Sequence, residues 1–97
     1  MILHPPELIA RYAALGAWTG ETLHGLLLAR AQEAPLALAL VDPPNKAAWT
    51  DLPPLRLDWS QVAAAADRLA WALHRAGLRR DDVLLVQLPN TVEFALL

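Results

Sequence analysis

Residues 55–62, Leu55-Arg56-Leu57-Asp58-Trp59-Ser60-Gln61-Val62, carry the reading that decides the fold. Leu55, Leu57 and Trp59 alternate with Arg56 and Asp58, the period of two expected of a strand with one buried face. Asp58 and Gln61 then stand three apart as a capping box, and Val62, Ala66, Leu69 and Leu73 fall on one helical face that ends at Gly77. A strand is thus followed by a capped helix.

Downstream, Asp81-Asp82 leads into Val83 to Leu88, an almost unbroken apolar run of the kind expected of a strand covered on both faces. Pro89 ends that strand, Asn90 reads as the cap of a last helix, and Glu93 completes a second capping box. Upstream, Leu36 to Val41 has large side chains at 36, 38 and 40 and smaller ones between, which predicts a strand. The stretch between the two early strands holds Pro43-Pro44-Asn45 and Pro53-Pro54 and reads as a surface loop, because Pro cannot donate to a ladder and Asn favours turns. The pair is therefore expected to form a hairpin with an extended tip. Before it, Thr22 can cap a helix carrying Leu23, Leu26, Leu27, Ala31 and Ala34 until Pro35, with Gly25 inside it. Pro5-Pro6 and Gly16 bracket a first helix through Leu8, Tyr12 and Leu15. The expected architecture is α/β: helices, a β-hairpin, then helix-strand-helix, one partial domain over 1–97 whose sheet lacks its later strands.

A chain of 97 residues permits one small core, burying ~60–65% of the unfolded surface. Hydrophobic residues make up 56% and charged residues 19%, so part of the apolar surface is expected to meet a partner or a second copy. The formal net charge is -2 and the basic residues are scattered among acids, which argues against nucleic-acid binding. Without Cys there is neither a disulfide nor a thiolate. No apolar run is long enough to span a bilayer, and residues 1–6 hold no basic stretch leading into an apolar one, so a cytoplasmic setting is expected.

Chemistry-bearing residues are few. His4, His24 and His74 lack metal-ligand spacing, and Ser60 has no nucleophile-elbow context. Asp81 and Asp82 fall in a turn beside Arg79 and Arg80, where solvated charge belongs. The four glycines are isolated, so no phosphate-cradling loop is present. Trp18, Trp49, Trp59 and Trp71 are not interleaved with basic residues and read as packing groups. No catalytic, cofactor-binding or metal residue is assigned.

Asp81-Asp82-Val83-Leu84-Leu85-Val86-Gln87-Leu88-Pro89-Asn90-Thr91-Val92-Glu93-Phe94 resembles a segment of the adenylate-forming enzymes, the superfamily of acyl-CoA synthetases, aryl acid ligases and peptide-synthetase adenylation domains. Ala66-Asp67-Arg68-Leu69-Ala70, Asp58-Trp59-Ser60-Gln61-Val62 and Ala39-Leu40-Val41-Asp42 match further pieces in order. Pro5-Pro6-Glu7, Arg11-Tyr12, Gly16, Trp18, Gly20 and Thr22-Leu23 resemble the start of one branch, the 2,3-dihydroxybenzoate and salicylate AMP ligases of siderophore synthesis. Asp81 stands where the family has a turn glycine, Trp59 where it has Tyr, and Gln61 where it has Glu. The loop around Trp49 is longer than the family's hairpin.

The resemblance implies the truncated amino-terminal portion of the large domain of an aryl acid ligase. Such an enzyme uses Mg-ATP to form an aryl-adenylate and passes the acyl group to a carrier-protein thiol. The family's phosphate loop, its ribose-binding Asp and its mobile-domain Lys lie downstream, so no role maps onto a residue here and the chain by itself is expected to be inactive. Its implied partners are the remainder of the ligase fold and, for the intact parent, a carrier protein. Two other readings are an independent interaction or regulatory module, and the same segment of an acyl-CoA synthetase or peptide-synthetase adenylation domain.

Overall fold

The computed structural model describes residues 4–97. Residues 1–3, the start of the stretch read above for a leader, lie outside them.

Pro6 opens helix α1 (Pro6–Ala14). Gly16 turns the chain out of it at φ +69, and the N–H groups of Ala17 and Trp18 donate back to Tyr12 O at 2.9 and 3.2 Å. This closure lays the Trp18 ring against Tyr12 and His4, both at 5.4 Å between centroids. Helix α2 (Leu23–Glu33) starts at the expected cap, where Thr22 Oγ1 accepts the Gly25 N–H at 3.0 Å. A Cβ on Gly25 would sit 3.2 Å from that oxygen, so the glycine that weakens the helix also leaves its cap room.

Strands β1 (Leu38–Val41) and β2 (Arg56–Asp58) form the expected antiparallel hairpin, pairing Leu38 with Asp58, Leu40 with Leu57 and Val41 with Arg56. Leu36 lies outside it, because the chain is still turning at Pro35. The tip is not all loop, since it contains the single turn of helix α3 (Ala47–Thr50). Asp58 closes β2 and caps helix α4 (Trp59–Arg75): its Oδ1 accepts the Gln61 N–H at 2.8 Å while Gln61 Oε1 accepts the Asp58 N–H at 2.9 Å. Trp59 therefore belongs to the helix and not to the strand. The expected face of α4 turns inward, with Val62 buried and Ala66, Leu69 and Leu73 half-buried against α2, the hairpin and the last helix.

Gly77, at φ +109, ends α4, and Leu78 N–H reaches back to Leu73 O at 3.0 Å. Asp81 adopts φ +68, a left-handed turn that glycine takes more readily than a residue with a Cβ.

Two expectations fail here. Val83 to Leu88 forms no strand: the segment takes part in no sheet, and Val83 and Leu85 are 81% and 93% exposed. An apolar run becomes a strand only through a ladder partner, and β1 and β2 pair only with each other among the described residues. Asn90 does not cap helix α5 (Val92–Leu96) either. The cap position is Thr91, whose side chain makes no cap bond, and Asn90 is exposed. Asn90→Ala therefore removes no capping bond.

The core is thinner than length alone suggests. Val62 and Val92 are the only buried hydrophobic residues among those described. The accessible surface is 7709 Å², against roughly 5,500 Å² for a folded monomer of this mass, so only about half of the unfolded chain's surface is covered. The radius of gyration of 16.7 Å likewise exceeds the ~12.5 Å of a compact domain of this length. No helix of the described residues is long and apolar enough to cross a membrane.

Candidate functional site

The buried charges lie at one place, where the hairpin tip meets α5. Asp42 leaves the end of β1, and its N–H still donates to Leu55 O at 2.9 Å. Pro43 and Pro44 then turn the chain so that Lys46, four residues on, enters α3 with its ammonium over the Asp42 carboxylate. Lys46 Nζ donates to Asp42 Oδ2 at 2.7 Å and to Glu93 Oε1 and Oε2 at 2.6 and 2.8 Å. Asp42 Oδ2 also accepts the Leu55 N–H at 2.9 Å, and Asp42 Oδ1 accepts the Val92 N–H at 2.7 Å. Lys46 is 1% exposed and Asp42 4%, whereas the Glu93 side chain keeps 38% of its surface in solvent. Among the described residues no buried side-chain nitrogen or oxygen lacks a partner.

This geometry explains why α5 needs no local cap. The carboxylate of Asp42, fifty positions earlier in the chain, takes the first N–H of the helix and places negative charge at its amino end. Glu93 was expected to complete a box with Asn90, and instead clamps Lys46.

Electrostatics follow from the same contacts. Burial would raise the Asp42 carboxyl, but the bonds from Lys46, Leu55 and Val92 outweigh it and hold the group below the usual carboxylate range. Burial would lower the Lys46 ammonium, yet Asp42 and Glu93 together push it above its ordinary value. Glu93 is lowered mainly by Lys46. A lysine held charged, with its donors turned to two carboxylates, is neither a base nor a nucleophile, since those roles need a neutral amine. The cluster is built to hold chain segments together.

The signs define a pH window. Asp42 and Glu93 contribute stability that is present above ordinary carboxylate values near 4 and is lost as pH falls through their lower folded values. Lys46 contributes stability that is present below about 10.4 and is lost as pH rises through its higher folded value. Tryptophan emission, reporting through Trp49 and Trp59, is expected to stay constant around neutrality and to shift red at both extremes. A shift centred near neutrality would contradict this assignment.

The other candidate residues are not brought to this site. Ser60 donates to Asp58 Oδ1 at 2.6 Å inside the α4 cap. Asp82 Oδ2 accepts the Arg79 N–H at 2.7 Å in the turn after α4. His74 stacks on Trp71 at 6.2 Å, and His24 lines a groove beside α4. No group of three or more His, Asp or Glu among the described residues is arranged to hold a metal.

Comparison with known proteins supplies the context. The chain is 36% identical over 89 residues to the 2-hydroxy-7-methoxy-5-methyl-1-naphthoate–CoA ligase of Streptomyces carzinostaticus, covering 92% of this chain and 14% of that protein. It is 37% identical over 91 residues to the salicyl-AMP ligase/salicyl-S-ArCP synthetase of Mycobacterium tuberculosis, covering 94% and 15%. The 2,3-dihydroxybenzoate-AMP ligase of Bacillus subtilis is 32% identical over 90 residues, covering 93% and 15%. The chain matches one segment of the aryl acid-activating ligases. It spans about one seventh of the length of these relatives. No family profile matches the chain, and no solved structure does.

Asp42 and Lys46 escaped the sequence reading as a pair. A signal existed: Lys46 is the only lysine in the chain and sits four residues after an Asp within a proline-rich tip. Its partner Glu93 is 47 positions away, beyond the reach of any local pattern.

Proposed function

We propose that this chain serves as the amino-terminal scaffold segment of the large domain of an AMP-forming ligase acting on an aromatic carboxylic acid. The supporting observation is the alignment along nearly the whole chain, at 32–37% identity, with three proteins whose names each specify an aryl acid. In this reading the whole protein uses Mg-ATP to activate salicylate or 2,3-dihydroxybenzoate and delivers the acyl group to a carrier-protein thiol in siderophore synthesis, in the cytoplasm. A coenzyme A acceptor is the second reading, favoured by the CoA ligase among the relatives.

The residues present do not fit the nucleotide. Lys46 is committed to Asp42 and Glu93, and Gly16, Gly20, Gly25 and Gly77 form no phosphate cradle. No reaction step is therefore assigned to this chain, whose role is positional.

Two measurements test the proposal. The 97-residue chain alone is expected to give no ATP–pyrophosphate exchange above blank with salicylate or 2,3-dihydroxybenzoate. Grafted in place of the matching segment of the Bacillus subtilis ligase, it is expected to retain exchange within roughly tenfold of the parent, about 1.4 kcal/mol in barrier. A folded chimera without activity, or turnover by the chain alone, would overturn the scaffold reading.

A further inference from the structure

Residues 83–97 are tied to the rest of the described chain at two ends. At the near end the turn after α4 is closed by Arg79 N–H on Asp82 Oδ2 and by Asp82 N–H on Arg79 O at 3.1 Å. At the far end stands the Asp42–Lys46–Glu93 cluster. Between them, residues 83–88 make no backbone hydrogen bond to another described residue. Helix α5 has five residues, too few to persist without tertiary support. Its apolar anchorage is slight, because Val92 alone is buried while Phe94 and Leu97 are 47% and 48% exposed.

We propose that the Asp42–Lys46–Glu93 cluster is an ionic latch that holds residues 83–97 as a strap across α4, and that this strap opens as a unit before α2, α4 or the hairpin unfolds. The latch joins two elements that cannot stand alone, α3 with four residues and α5 with five, so each depends on the other through Lys46. Helix α4 has independent support: seventeen residues, a complete capping box, and faces packed on α2 and on both strands. Opening the strap lifts Ala95 and Leu96 from the groove of about 460 Å³ in which they meet Trp59, Val62 and Ala66. The inference is independent of the ligase reading, since it rests on contacts within this chain.

Hydrogen exchange followed by mass spectrometry on the 97-residue chain tests it. In the unmodified protein, amides 92–96 are expected to exchange faster than amides 62–73. Glu93→Gln keeps the Asp42–Lys46 pair and removes only the outer charge. It is expected to accelerate exchange at 92–96 about tenfold while leaving 62–73 within about twofold. Lys46→Met is expected to open 92–96 at least as far and to deprotect 47–50 with it. Glu21→Gln, which alters only the exposed Thr19–Glu21 contact, serves as the control and leaves 92–96 unchanged. Should Lys46→Met fail to fold, Glu93→Gln decides alone. Unchanged exchange at 92–96 in Glu93→Gln, or equal acceleration at 62–73, overturns the latch.

Discussion

Asp42→Ala is expected to be the most damaging single substitution in the chain, abolishing the near-ultraviolet tryptophan signal at neutral pH. The carboxylate serves three donors at once: Lys46, the Leu55 N–H and the Val92 N–H. Its removal orphans two backbone N–H groups and leaves a nearly fully buried ammonium with Glu93 alone. Breaking one side of a buried pair costs far more than the pair contributes, because the surviving charge stays desolvated. The expected order of urea midpoints is native, Glu93→Gln, Lys46→Met, then Asp42→Ala as the lowest. Asp42→Asn separates charge from hydrogen bonding, since it keeps one acceptor oxygen, and should fall between native and Asp42→Ala. An Asp42→Ala midpoint equal to that of the native chain would show that the cluster contributes nothing to the fold.

The second large effect concerns association. The chain exposes large apolar side chains from Leu8 to Leu97, and in Val83 to Leu88 the exposed Val83, Leu84, Leu85 and Leu88 lie on backbone that pairs with no other described residue. Both are conditions under which strands seek a partner edge. Light scattering is expected to show mass rising with concentration, and Val83→Lys with Leu85→Lys is expected to suppress the rise. Charges on this segment oppose its pairing with another edge, and both sites are exposed enough to accept lysine without loss of the core. A native chain that stays monomeric at high concentration would favour the independent-module reading.

Local chemistry was legible in most places where its partners lay within one turn, the Asp42–Lys46 pair being the exception. The Asp58–Gln61 box, the Thr22 cap and the glycine stops at 16 and 77 are where their spacing puts them. The hairpin was legible because the alternation of β2 is local and the prolines between the two strands mark the stretch that joins them. Legibility ended where structure depends on distant groups. Val83 to Leu88 has the composition of a strand, but composition cannot provide the neighbour that makes one. Asn90 and Glu93 have the spacing of a box, yet it is Asp42 that reaches the helix end from across the fold, through the Val92 N–H. Helix α3 lay hidden between prolines, since a single turn has too few residues to show a period.

One junction has a mechanical consequence. Asp58 belongs to the end of β2 and to the cap of α4, so no residue of slack separates the sheet from the seventeen-residue helix. At 1.5 Å per residue that helix is a lever about 25 Å long. A hairpin tilt of about 10° would therefore carry its far end, with the Arg79–Asp82 turn, through roughly 4 Å. A single residue inserted between Asp58 and Trp59 would uncouple the two, whereas one inserted near Gly20 would be absorbed by exposed chain.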